Sequence, residues 1–191
     1  MNRIILALLL PLLLSVQAAC EREDPMLTLA KAIDRGDLKA LEKAMQRGVS
    51  PDSMEEGVPL IVIAIEGRGG INAAKILLKS GADINATGPH SDTALMSMSG
   101  RGSVEGVKFM LENGADPNIE SAADGSTALS LVTVNGDGSD ALAILRMLVA
   151  AGADPCHKNH KGMRAQQNPP GYAPGLLGRY IDEECRKRGG G

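Results

Sequence analysis

Four glycines punctuate the chain at nearly fixed intervals. Gly48-Val49-Ser50-Pro51, Gly81-Ala82-Asp83-Ile84-Asn85, Gly114-Ala115-Asp116-Pro117-Asn118 and Gly152-Ala153-Asp154-Pro155 align, their first residues 33, 33 and 38 positions apart. A period of this size marks a chain built from one repeated structural unit. Ahead of each glycine, apolar residues recur at helical spacing: Leu38, Leu41 and Met45; Ala74, Ile76, Leu77 and Leu78; Val107, Met110 and Leu111; Leu145, Met147 and Leu148. Each glycine then stands where a helix ends in left-handed backbone, a conformation costly for any residue with a Cβ. Thr93-Ala94-Leu95-Met96 and Thr127-Ala128-Leu129-Ser130 open a second set of helices, with Thr in the capping position. Val58-Pro59-Leu60-Ile61 is the earlier copy, where Pro59 suits the first helical turn. Glycine turns at Arg35-Gly36-Asp37, Gly67-Arg68-Gly69-Gly70 and Gly100-Arg101-Gly102 join the two helices of each unit.

These residues resemble ankyrin repeats. That family's Thr-Pro-Leu-His start, central glycine turn, Leu-Leu run and Gly-Ala-Asp-Val-Asn end are present in degraded but phased form from Leu27 to Asp154, with a partial unit through Gly162. The signature His is replaced by Ile61, Met96 and Ser130, and Pro survives only at Pro59. Those losses imply weaker hydrogen bonding between units on an unchanged architecture. The resemblance implies an all-α solenoid of about four helix-turn-helix units over residues 27–154, each burying its apolar faces only against its neighbours. Residues 155–191 are expected to form a partial repeat and cap. The ends of such a stack must face water, and Lys31, Asp34, Arg35, Asp37, Lys39, Glu42, Lys43, Gln46 and Arg47 intersperse the first unit accordingly. Asn168-Pro169-Pro170-Gly171 prevents an ordinary continuation, and Leu176-Leu177-Gly178-Arg179-Tyr180-Ile181 offers an amphipathic capping helix.

Residues 1–18 read as a secretory signal: Arg3, an apolar run from Ile4 to Val16, then Gln17-Ala18-Ala19. The run is shorter than the roughly 20 residues of a spanning helix. Cleavage before Ala19 gives a soluble exported protein. Ala18-Ala19-Cys20 also resembles the end of a bacterial lipobox, which would extend the signal to residue 19 and lipidate Cys20, although Gln17 departs from that pattern. Glu21 would then resemble an outer-membrane address. Residues 19–26 are expected to form a tether. Three cysteines leave one over in an exported chain. Acylating Cys20 would leave Cys156 and Cys185 as a pair, either joined as a disulfide that staples the cap or buried as two free thiols.

Composition removes several functions. Two tyrosines, one phenylalanine, no tryptophan and a net charge of -3 supply neither the stacking rings nor the basic groove of a nucleic-acid platform. Cys156-His157-Lys158-Asn159-His160, even with Cys185 as a fourth ligand, matches no strong zinc spacing. Asn135-Gly136-Asp137-Gly138-Ser139-Asp140 looks like a calcium loop, but Asp140 and Arg146 stand where that loop needs Gly and Glu. An enlarged turn between helices accounts for the segment better, and such insertions often meet partners. Gly67 to Gly70 lacks the preceding strand and following Lys-Ser/Thr of a phosphate cradle. No Gly-x-Ser-x-Gly element occurs. The expectation is a non-enzyme without cofactor or metal.

What remains is a surface. In ankyrin repeats partners dock on the concave side, on loop tips and first helices. Carried onto this chain, that implies Glu55, Glu56 and Glu66; His90, Asp92 and Arg101; Glu120, Asp124, Ser126 and Asn135; and Lys158, His160 and Lys161, a stripe acidic at one end and basic at the other. The expected function is a non-catalytic protein-protein interaction module of the bacterial periplasm, monomeric in isolation and touching membrane only through a lipid on Cys20. Two more specific roles are open: an immunity protein against a periplasm-acting toxin, or a lipid-anchored accessory that protects or assists an envelope enzyme.

Overall fold

All four glycine stops take left-handed backbone in the computed structural model, which describes residues 25–88, 92–132, 139–165 and 176–189. Their φ angles are 84° at Gly48, 94° at Gly81, 89° at Gly114 and 100° at Gly152. A Cβ at any of them would meet nothing within 4 Å, so backbone conformation alone sets the requirement. Each stop closes the second helix of a unit. In chain order the α-helices of the described residues are α1 (Pro25–Asp34), α2 (Leu38–Gln46), α3 (Leu60–Glu66), α4 (Gly70–Lys79), α5 (Ala94–Gly100), α6 (Val104–Glu112), α7 (Ser139–Ala150) and α8 (Leu176–Lys187). No helix among the described residues is long and apolar enough to cross a membrane.

Helices α1, α3 and α5 pack in series, and a 3-10 helix at Ala128–Leu131 continues their row; α2 packs on α4, and α6 on α7. One core runs the length of the stack, through Ile33, Leu41, Leu60, Leu77, Leu95, Met110, Leu129, Ile144 and Leu148, each at most 1% exposed. Caps fix the helix starts. Asp37 Oδ1 accepts from Ala40 N at 3.0 Å, Thr93 Oγ1 from Met96 N at 3.2 Å and Ser103 Oγ from Gly106 N at 3.1 Å.

The units are also tied by a ladder of side chains along the glycine loops. Asp52 Oδ1 accepts from Asp83 N at 2.7 Å, Asn85 Oδ1 from Asp116 N at 2.8 Å, and Asn118 Oδ1 from Asp154 N at 2.9 Å. Within each loop the Asp holds the residue two positions on: Asp83 bonds Asn85 N, Asp116 bonds Asn118 N and Asp154 bonds Cys156 N. Cys156 thus occupies the rung where the earlier copies carry Asp52, Asn85 and Asn118, and the ladder ends there. It is joined instead to Cys185 of α8, with an S–S distance of 1.93 Å. The expected staple is therefore present.

Helix α8 lays Leu177, Ile181 and Cys185, spaced four apart, against the end of the core. Arg188 finishes the attachment, donating to Ala153 O at 2.9 Å and Val149 O at 3.1 Å. These carbonyls belong to the C-terminal end of α7 and its exit loop, where a cation is favoured. On the exposed face, Lys187 reaches Glu184 at 2.8 Å and Glu183 at 3.0 Å, which pushes its ammonium pKa up to about 12.

Four local expectations need correction. Pro59 is the residue before α3, extended at φ -60° and ψ 142°, rather than its first helical residue. A short antiparallel pair precedes it, β1 (Met54–Glu55) with β2 (Val58–Pro59), closed by left-handed Glu56 and Gly57. The helix expected after Thr127 tightens to a 3-10 turn, with Ser130 Oγ accepting from Thr127 N and donating to Thr127 O, both at 2.9 Å. Ser139 and Asp140 belong to the first turn of α7, and Pro25 and Met26 to α1 rather than to a tether. The signal segment, Cys20, residues 133–138 and Asn168 to Gly171 lie outside the described residues.

Candidate partner-docking face

The tips and first helices of three successive units frame an open groove of about 540 Å³. Its apolar part comes from Val58 at the end of the hairpin, Val62 one turn into α3, Met96 of α5 and Leu131 of the 3-10 helix. Glu66, Asp92 and Asp124 stand among the polar lining residues, with Thr93, Ser97, Ser121 and Ser126. A second hollow of about 390 Å³ adjoins it through Val58 and Glu66, and adds Asp34, Glu55, Glu56 and Arg101. Of the titratable residues described as lining the two, Asp34, Glu55, Glu56, Glu66, Asp92 and Asp124 are acids, and Arg101 is the base.

Local structure explains how these side chains meet. Glu55 and Glu56 are carried out by the hairpin, whose left-handed turn reverses the chain over two residues. Glu66 closes α3, and its carboxylate is shared by two groups of the next unit: Ser97 Oγ donates to Oε1, and Arg101 Nη2 lies 3.6 Å from the same atom. Asp124 Oδ1 accepts from Ser126 N at 2.9 Å, while its carbonyl accepts from His160 N at 2.9 Å.

The expected docking residues fall in different places, Glu120 being exposed beside His157 and lining neither hollow. Glu55, Glu56, Glu66, Asp92, Arg101 and Asp124 line the joined grooves. Lys158, His160 and Lys161 are exposed but line neither; they sit on the terminal loop, which stacks behind the 121–126 tip. There the His160 ring packs over Gly125, whose φ is 73° and where a Cβ would come within 2.6 Å of that ring. His157, seen in the sequence only as a loop histidine, latches the same tip through Nε2 to Gly125 O at 2.8 Å, with Glu120 3.7 Å from Nδ1. Ser126 corrects an expectation: it is 1% exposed, so it belongs to the wall of the groove rather than to an outward tip. Burial follows because residues 121–126 fold back on themselves through Ser121 N to Ser126 O at 2.8 Å. His90 and Asn135 lie outside the described residues.

Sequence reasoning missed Val58, Val62, Met96 and Leu131, because it looked for the face only in polar positions. It also missed Asp34, assigned to the polar side of the first unit. Val58 lies in β2 and Val62 in α3, so no single strand or helix spacing in the sequence marked the apolar lining.

A row of stacked helical hairpins with a shaped inner groove defines a helical-repeat docking scaffold. A family profile described as ankyrin repeats (3 copies) matches residues 61–159, just over half of the chain. The chain belongs to the ankyrin-repeat family. Ankyrin repeats are generally protein-protein interaction modules and are typically non-catalytic. No curated protein matches the chain.

Proposed function

We propose that this protein is a non-catalytic docking module that works after export to the bacterial periplasm and holds a protein partner on its inner groove. The observation that carries the reading is an acid-lined groove spanning three units, with Val58, Val62, Met96 and Leu131 contributing its apolar lining. A groove built from rigid stacked units is preorganised, which lowers the ordering cost of binding. Export is supported by the signal-like order of residues 1–18 and by the Cys156–Cys185 disulfide, since such bonds persist in oxidising compartments. Mass spectrometry of the mature N-terminus separates a lipidated Cys20 from a free Ala19.

The direct test is cross-linking in intact cells, with a photoreactive residue placed at Ser97 on the groove and, as a control, at Lys79 on α4. A partner captured only from position 97 supports the reading. Capture only from position 79, or cytoplasmic retention of the chain, would falsify it. The task performed on that face follows from the identity of the captured protein: a toxin marks an immunity protein, an envelope enzyme marks an accessory.

A further inference from the structure

We propose that the groove takes a cationic segment of the partner, with the stem of an Arg or Lys along Val58, Val62, Met96 and Leu131 and its charged head among Glu66, Asp92 and Asp124. The inference rests on the docking reading above and specifies the partner's chemistry. Three observations carry it.

The first is charge. Among the described residues, six carboxylates and one guanidinium line the joined hollows, so the potential they set up favours a positive occupant. The second is the mixture of linings. A small inorganic cation makes no use of an apolar strip, whereas a long basic side chain buries its methylenes and keeps its head polar. The third is Ser126. Its side chain is 1% exposed, it lines the groove, and its hydroxyl has no hydrogen-bond partner among the described residues. Buried hydroxyls are nearly always bonded; this oxygen is closed to solvent in the empty groove, so an N–H from a bound segment satisfies it once the 121–126 tip shifts to admit it. Arg101 fits the same account. It lies 3.6 Å from Glu66 with both side chains about half exposed, so the pair is weak and gives way readily to an incoming cation.

Binding of labelled nine-residue probe peptides to the full mature chain tests this by fluorescence anisotropy. One probe carries two Arg in an Ala/Leu background; two counterparts carry Gln or Glu in their place. The Arg peptide is expected to bind, to weaken with added salt, and to bind about tenfold tighter than the Gln peptide. The double variant Asp92→Asn/Asp124→Asn should weaken the Arg peptide about fivefold and leave the Gln peptide unchanged. Asn keeps the oxygen that accepts from Ser126 N, so the tip is preserved. Arg101→Gln should act in the opposite direction and tighten the Arg peptide about threefold, a gain that general damage to the fold cannot produce. Ser126→Ala should weaken it.

Absence of saturable Arg-peptide binding at millimolar concentration overturns the proposal, as does equal binding of the Gln peptide or weakening by Arg101→Gln. Spermidine displacing the probe as effectively as unlabelled Arg peptide also overturns it, in favour of a small polyamine. Dimerisation that blocks the probe overturns it in favour of a second copy of the chain. A natural partner cross-linked at position 97 through a neutral or acidic segment sinks this inference and leaves the docking reading standing. Cross-linking confined to position 79 sinks the docking reading itself.

Discussion

A buried hydroxyl with nothing to bond costs about 1–3 kcal/mol relative to the same group in water. Ser99 and Ser126 each carry one that finds no partner among the described residues, at 0% and 1% exposure. Their surroundings differ. Ser99 sits on α5 and does not line the inner groove, whereas Ser126 does. Replacing Ser99 by Ala removes the unbonded oxygen and leaves a void no larger than that atom. Ser99→Ala should therefore raise the unfolding free energy by about 1 kcal/mol. It should appear as a higher urea midpoint at unchanged slope, with probe binding unaffected. Ser126→Ala should stabilise similarly but weaken the Arg probe, so the two variants separate an oversight in packing from a group kept for a ligand. Neither hydroxyl was legible in the sequence. Ser99, on a short helix, reads as a solvated residue, and Ser126 reads as an outward loop tip until residues 121–126 fold back on themselves.

Between elements, the Asx ladder does work that the missing signature His would be expected to share. Asn118 is its most connected rung, since Oδ1 accepts from Asp154 N at 2.9 Å and Nδ2 donates to Gly152 O at 3.1 Å. Asn118→Ala deletes both links between units while leaving the backbone bond to Asp116 in place. The loss should be about 1–2 kcal/mol, at the lower part of that range if water replaces one partner. Asn118→Asp keeps an acceptor for Asp154 N, loses the donor, and sets a carboxylate near that of Asp154, so it should also destabilise. Glu112→Ala on the exposed face of α6 is the control and should stay within about 0.5 kcal/mol of the parent. Much of this level was readable in advance. The repeat of the glycine-led motif, twice at 33 residues and once at 38, located every stop, because left-handed backbone selects glycine at a fixed place in each unit. The 3-10 form of Ala128–Leu131 was not readable: four residues of Thr-Ala-Leu-Ser fit either helix, and packing against α5 and α7 decides between them. The hairpin escaped for a similar reason, since a two-residue strand shows no alternation to detect.

At the scale of the molecule, a stack of repeats is only as stable as its ends allow, because each terminal unit lacks a neighbour on one side. The C-terminal end is closed by three attachments of different kinds: the apolar stripe Leu177, Ile181 and Cys185, the Arg188 bonds to Val149 and Ala153, and the Cys156–Cys185 disulfide across 29 residues. The segment preceding α8 contains Pro169 and Pro170 and is long, so without the cross-link the unfolded cap regains considerable freedom. The paired variant Cys156→Ser/Cys185→Ser should therefore cost about 3–4 kcal/mol by loop entropy. Its location distinguishes this from a general loss. Hydrogen exchange should accelerate first in α8 and the terminal loop, then in α7, while α3 and α4 keep their protection until global unfolding. The His157 and His160 contacts that brace the 121–126 tip belong to the same terminal section, so loosening the cap should also relax the far wall of the groove and weaken the Arg probe. Uniform acceleration across all helices would show instead that the solenoid unfolds as one unit and that the staple stabilises it without protecting a particular end.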